Sequence, residues 1–306
     1  MTPRTIVLAG PTASGKSALA LFLAERLLGE LICADSRQVY AGLGIASAGP
    51  SEDERARVPH HLFGVVAPAT TLSAGAWLPL ADQAVASVHG RNKVAVVVGG
   101  TGLYLRTYRL GLDDQPPADP VLRTQLEGEL AQGGLALMID RLRKLDPDAV
   151  VGLDARNPAR VLRALEITLL GGRAGDRSIG TMLSRPARLV CADAVWLSLD
   201  APLPWLEPRI HARARRMFES GLLDETRALA HQLPAEHPLL ATLGTREAAL
   251  CIHGSMTIES SIHEVALRTR QYARRQRTWF RKEPWWRVLP AAAPDLETQA
   301  LSAIAA

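Results

Sequence analysis

Gly10-Pro11-Thr12-Ala13-Ser14-Gly15-Lys16-Ser17 is the stretch that decides how this chain folds. It fits G-x-x-x-x-G-K-[ST], and its setting fits as well: a β-type run, Thr5 to Ala9, precedes it and an Ala- and Leu-rich helical stretch, Ser17 to Leu28, follows. In such a turn the glycines let backbone N–H groups point inward around phosphate oxygens. The helix N-terminus adds partial positive charge, Lys16 adds a full one, and the Ser17 hydroxyl supplies a ligand for Mg²⁺. The eight residues therefore predict a phosphate-binding loop at the end of the first strand of a parallel sheet.

Moving outward, Glu30 to Ala34 reads as a second strand. Lys93 to Val98 reads as a third, apolar as a strand buried on both faces must be, and Val195 to Leu199 as a fourth. Strands alternating with helical stretches predict an α/β fold, a P-loop-containing doubly wound parallel sheet. The texture changes between about Asp113 and Ala187. Residues 113–120 look like a linker, and the segments after it are helical without a good strand. Asn157-Pro158 fits an N-cap followed by proline at the first helical position, opening a helix that Gly171-Gly172 ends. The expected organisation is a first part of the core at 1–115, a helical insertion at 116–187, and a mainly helical second part at 188–306. From Pro290 onward a weakly structured tail with a short helix is expected.

Composition narrows the function. At 306 residues and 47% hydrophobic, the chain can bury a sizeable core, which excludes a disordered or fibrous protein. No apolar run nears the ~20 residues of a membrane span, and the N-terminal residues predict no secretory signal. Cys33, Cys191 and Cys251 lie far apart without a CxxC, which predicts free thiols, a cytoplasmic setting and no zinc site. Net charge is +4, from 35 Lys and Arg against 31 Asp and Glu. It is unevenly spread: Arg268 to Arg287 holds eight cations against Glu283 alone. A local patch of that kind suggests a polyanionic partner.

The loop by itself leaves its ligand open. ATP or GTP is the default, and with it a kinase or hydrolase. The third strand, however, runs into Gly99-Gly100-Thr101, with no acidic residue to hold Mg²⁺; Asp35 is the acidic residue at the end of an early strand.

Three further segments accompany the loop in order: Asp35-Ser36-Arg37-Gln38-Val39-Tyr40, Gly99-Gly100-Thr101-Gly102-Leu103-Tyr104, and the run from Arg270 through Gln276-Arg277-Thr278-Trp279-Phe280-Arg281. With Pro59-His60-His61-Leu62 and Arg156-Asn157-Pro158 through Glu166, the set resembles the tRNA dimethylallyltransferases (tRNA isopentenyltransferases) of bacterial type, over nearly the whole chain. The resemblance implies transfer of a dimethylallyl group from dimethylallyl diphosphate to N6 of the adenosine 3′-adjacent to the tRNA anticodon. On that basis residues 10–17 hold the diphosphate with Mg²⁺ on Ser17, and Asp35 is the general base. Thr101 lies near the reacting amine, and Arg213, ahead of Arg209, stabilises the leaving group.

The same resemblance implies that Ser36, Arg37 and Gln38 read an extruded adenine. It also implies that Arg123, Arg160 and Arg163 of the insertion grip the tRNA anticodon stem-loop. Gly244 and Arg246, with Arg274, Arg275, Gln276, Arg277, Thr278, Trp279 and Arg281, complete the expected RNA surface. Arg270, Arg274, Arg277 and Arg281 share one helical face, a cationic stripe that no acid within Arg268 to Lys282 balances. His60 and His61, with no third ligand, read as structural, and Trp285-Trp286 as packing anchors. The chain is expected to act as a monomer.

Two departures from the family pattern stand out. Ser47-Ala48-Gly49-Pro50 lacks a lysine, and Gly244-Thr245-Arg246 lacks an aromatic. Three alternatives remain at this level: a prenyltransferase acting on free adenylate, a small-molecule kinase, and an RNA-binding protein with a vestigial loop.

Overall fold

The computed structural model describes residues 5–112, 115–172 and 187–305. Six parallel strands form one sheet in the order β3-β2-β4-β1-β5-β6. They are β1 (Thr5–Ala9), β2 (Gly29–Cys33), β3 (His60–His61), β4 (Val94–Gly99), β5 (Val195–Asp200) and β6 (Arg287–Pro290). β1 lies between β4 and β5 with Ala9 level with both Gly99 and Ser198, so its C-terminal end opens at the middle of the sheet. Its residues are all buried, as are those of β2, where the one charged residue, Glu30, is paired with Arg91 and His61, as expected in a sheet covered on both faces. Ligands of open α/β sheets gather beyond the carboxyl ends of such strands, and the phosphate loop, Asp35 and Gly100 all follow carboxyl ends here.

Two strands are absent from the sequence-based expectation. β3 is two residues long, too short for any periodicity; Leu31 and Ile32 of β2 pair with its histidines. β6 lies just before the expected tail and pairs with β5 from Leu197–Arg287 to Asp200–Pro290. The short helix expected beyond Pro290 is Leu296–Ala305, and it buries Ala300 and Ile304. Trp286 fixes this edge, buried edge-on against Trp196 at 5.2 Å and Phe280 at 5.6 Å between ring centres. Just past Pro290 the Ala291 N–H still donates to the Asp200 carbonyl, at 2.8 Å.

The chain divides into two compact units, residues 1–109 with 188–306, and residues 110–187. In the second unit Asp119 caps the helix Pro120–Leu145 through N–H groups of Val121 and Leu122 at 2.8 and 3.1 Å. That helix breaks at Gly134, which adopts φ 74° and ψ 172°, a conformation open to glycine. Its two arms and the helix Pro158–Leu169 enclose a core that includes Leu126, Met138, Leu142, Val161 and Leu165. Glu166, fully buried, ties these helices by accepting the Asp119 N–H at 2.9 Å and the Arg163 guanidinium at 2.8 Å.

Candidate active site at the carboxyl edge of the sheet

In the phosphate loop Ala13 and Gly15 adopt left-handed conformations, φ 63° and 86°, which turn successive amides toward one point. The N–H groups of Ala13, Gly15 and Lys16 meet no protein acceptor among the described residues, and Ser14 Oγ is buried without a partner. Unsatisfied donors at a helix start form an anion site. Lys16 stands beside it. Desolvation lowers its ammonium to about 8, an effect that the nearby Asp35 carboxylate opposes. Burial likewise lowers the Arg213 guanidinium, with Asp35 again opposing.

Asp35 begins the turn after β2. Its Oδ1 accepts the N–H groups of Arg37 and Gln38 at 2.9 and 3.4 Å, while Oδ2 accepts no hydrogen bond among the described residues. One carboxylate oxygen is thus fixed as a cap and the other remains free for chemistry. Thr101 Oγ1 accepts the Ser36 N–H at 2.9 Å and donates to Ser36 Oγ at 3.2 Å, which locks the Asp35 turn to the end of β4. The approach is close: a Cβ on Gly99 would overlap the Ala34 carbonyl, so only glycine fits there. Cys33 Sγ, buried behind, accepts the Asp35 N–H at 3.4 Å.

Arg213, on the helix Leu203–Glu219, donates to Thr12 Oγ1 at 2.8 Å and to the Ser47 carbonyl at 3.3 Å. Arg209 turns away and stacks on Trp205, 3.7 Å from the ring centre. Lys16, Asp35 and Arg213 line a cavity of about 420 Å³ that also takes in Ser17, Gln38, Met217 and Tyr272, whereas Thr101 and Arg209 are not in its lining. Tyr272 escaped the sequence reading because it lies off the cationic stripe of its helix. Burial and the neighbouring Asp35 raise its phenol well above the usual range.

For Mg²⁺ the donor set suits the ion. The exposed Ser17 hydroxyl beside the anion site is a hard ligand, and Mg²⁺ is commonly held by one or two protein oxygens plus substrate phosphates. No cluster of three or more His, Cys, Asp or Glu capable of holding a metal occurs among the described residues. His61 instead pairs with Glu30 at 2.6 Å and His60 with the Val58 carbonyl at 2.8 Å, both structural.

Several expected RNA contacts have other partners. Gln276 is buried, and its amide is used at both ends: Oε1 accepts the Thr12 N–H and Nε2 donates to the Gly100 carbonyl, each at 2.8 Å. It bridges the two loops at the wall of the cavity, with its amide already committed to the protein. Gly244 is buried with φ 94°, a backbone conformation that favours glycine, whereas Arg246 is exposed. Trp279 lies under Arg106, 4.1 Å from the ring centre, and Thr278 donates to the Arg274 carbonyl within its own helix.

The stripe on the helix Ile258–Arg281 is also more balanced than its own sequence indicates. Arg277 and Arg281 pair with Asp200 at 2.8 and 2.6 Å, Arg270 pairs with Glu207, and Arg268 with Glu247. Arg274 and Arg275 are exposed and form no ion pair among the described residues. In the second unit Arg163 and Arg123 turn toward Glu166, while Arg160 is exposed beside Asp154 at 3.4 Å.

Comparison with known proteins places the chain in a family. The IPP transferase family profile matches residues 38–283. A tRNA dimethylallyltransferase of Anaeromyxobacter dehalogenans (strain 2CP-C) is 42% identical over 299 residues, covering 98% of each chain. One from Myxococcus xanthus (strain DK1622) is 41% identical over 285 residues, 92% of this chain and 91% of the relative. The crystal structure of the tRNA isopentenylpyrophosphate transferase from Bacillus halodurans superposes with a TM-score of 0.69 at 29% identity, covering 99% of this chain and 97% of that one. A eukaryotic dimethylallyltransferase acting on tRNA shares the fold, with a TM-score of 0.79 at 24% identity, over 98% of this chain and 77% of that chain. The chain belongs to the IPP transferase family.

Proposed function

We propose that this chain transfers a dimethylallyl group from dimethylallyl diphosphate to N6 of the adenosine next to the 3′ side of the tRNA anticodon. One observation carries the reading: a carboxylate with a free oxygen, Asp35, lines the same cavity as the phosphate-side cations Lys16 and Arg213. The kinship with tRNA dimethylallyltransferases supplies the substrate classes.

The exocyclic amine of adenine is a weak nucleophile because its lone pair is delocalised into the ring. Asp35 Oδ2 accepts an N6 proton as the nitrogen forms its bond to C1 of the dimethylallyl group, a contribution of ~10²–10⁴-fold for a general base. The C1–O bond breaks and diphosphate departs with the electron pair. Negative charge then grows on the leaving group, where the loop amides, Lys16 and Arg213 stabilise it more than they stabilise the ground state. Mg²⁺, held by Ser17 with the diphosphate, supplies further charge neutralisation when bound. Thr101, through its bonds to Ser36, keeps the base in register with the adenine.

Extrusion of the base from its stack brings N6 into the cavity, and Arg37 beside Asp35 is suited to contact it. Arg160, Arg246, Arg274 and Arg275 carry the phosphate contacts. The enzyme works as a cytoplasmic monomer.

The test is a nucleoside mass analysis of unmodified tRNA after incubation with the protein, Mg²⁺ and dimethylallyl diphosphate. A prenyl mass gain on an anticodon-loop adenosine is expected. Gain on free AMP alone, or consumption of ATP in place of the prenyl donor, overturns the reading.

A further inference from the structure

Glu225 lies outside the cavity lining, on the helix Leu222–Gln232. Its two carboxylate oxygens accept the backbone N–H groups of Ile45 and Ala46 at 2.7 and 2.8 Å. Those amides open the four-residue helix Gly44–Ser47, whose own cap residue, Leu43, has no side-chain acceptor to offer. Orphan N–H groups at a helix start need a partner, and a carboxylate is the strong choice. Here it comes from 180 residues further along the chain.

The other end of the same turn belongs to the site. The Ser47 and Ala48 carbonyls accept Gln38 Nε2 at 3.0 and 2.8 Å, and the Ser47 carbonyl also accepts Arg213 at 3.3 Å. Ala48 is left-handed, φ 50° and ψ 56°, a conformation that is strained for a residue with a Cβ. The turn must therefore be held from both ends, and its residues Ala46, Ser47 and Ala48 form a wall of the cavity.

We propose that Glu225 is a positioning residue for the diphosphate donor: by pinning the Gly44–Ser47 turn it sets the carbonyls that orient Arg213 and Gln38. The inference rests on the transferase reading above. Without the carboxylate, the turn that carries the Ser47 carbonyl loses its anchor to the helix Leu222–Gln232 and is held from the cavity side by Gln38 and Arg213, while Asp35 and the phosphate loop keep their own bonds. The expected signature is a rise in KM for the donor and in Kd for inorganic diphosphate, accompanied by a fall in kcat because the displaced Arg213 also bears on the departing charge.

The experiment is steady-state prenylation of unmodified tRNA by wild type, Glu225→Ala, Glu225→Gln and Asp224→Asn. Thermal unfolding and titration of inorganic diphosphate with Mg²⁺ accompany it. Glu225→Ala is expected to raise KM for the donor, and Kd for diphosphate, about tenfold, the effect of roughly one charged hydrogen bond. Glu225→Gln, which retains one acceptor, should fall between, and it carries the test if the alanine variant does not fold. Asp224→Asn, at an exposed neighbour paired with Arg227, should leave both values unchanged. Combining Glu225→Ala with Gln38→Ala should raise KM by less than the product of the single effects, because both hold one turn.

Unchanged donor KM and diphosphate Kd in Glu225→Ala, with only stability lost, overturn the proposal. Failure of the transferase reading would be visible separately, as wild type that binds diphosphate but does not prenylate tRNA.

Discussion

Arg213 donates to the hydroxyl of Thr12 across 2.8 Å, joining the helix Leu203–Glu219 to the phosphate loop. The bond holds a positive charge over the anion site, and among the described residues no carboxylate forms a direct ion pair with it. A cation fixed in this way favours a ligand whose charge increases during reaction. Arg213→Ala is expected to lower kcat for prenyl transfer by about 10²–10³, the usual effect of removing one preorganised donor. Single-turnover kinetics at saturating donor measure it, and a change confined to KM would remove Arg213 from transition-state stabilisation.

Lys16 gives the site a pH dependence with a defined sign. Its ammonium, lowered to about 8, is charged below that value in the free protein and neutral above it. Diphosphate binds the charged form, so affinity should hold below about pH 8 and weaken as pH rises through it. Lys16→Arg, which stays charged, should retain affinity to higher pH even though its fork fits less well. Calorimetric titration of diphosphate across pH 7 to 10 checks this; identical profiles for the two proteins would dissociate Lys16 from the ligand.

Gln276 is expected to behave as a structural residue despite its position in the basic helix. Gln276→Leu leaves the Thr12 N–H and the Gly100 carbonyl unpaired in the interior, at a cost of about 2 kcal/mol or more. Urea unfolding should register that loss, while the salt dependence of tRNA binding stays as in wild type. A shallower salt slope at unchanged stability would return Gln276 to the RNA surface.

The arginines of the same helix should divide into two groups. Arg274 is exposed and unpaired among the described residues, so Arg274→Ala should reduce the slope of log K against log salt by about one. Arg277 is paired with Asp200, so Arg277→Ala should mainly lower stability. Equal slopes in the two variants would contradict the division.

This contrast marks where the sequence was legible. Residues 10–17, the strand ends and Asp35 could be read because each rests on a contiguous pattern: a loop motif, an apolar run, an acid directly after a strand. The charge balance of the basic helix could not, since Asp200, Glu207 and Glu247 reach it from other elements. Tyr272 and Gln276 lay in plain view in a stretch rich in arginine, but which helix face meets the cavity is decided by packing. Glu225 left no local signal at all, because the helix start it caps lies 180 residues earlier. β3 and β6 were too short to carry a periodicity and exist through pairing with β2 and β5.

Asp35 offers the most direct test of the account. Prenyl transfer is to be measured in a single turnover by wild type and Asp35→Asn, with tRNA affinity determined for both. Asparagine can keep the cap to the Arg37 and Gln38 amides but accepts no proton from N6. The account predicts a rate lower by ~10²–10⁴ with tRNA affinity within a few-fold of wild type. A normal single-turnover rate, or lost tRNA binding with normal chemistry in the fraction that binds, would contradict it.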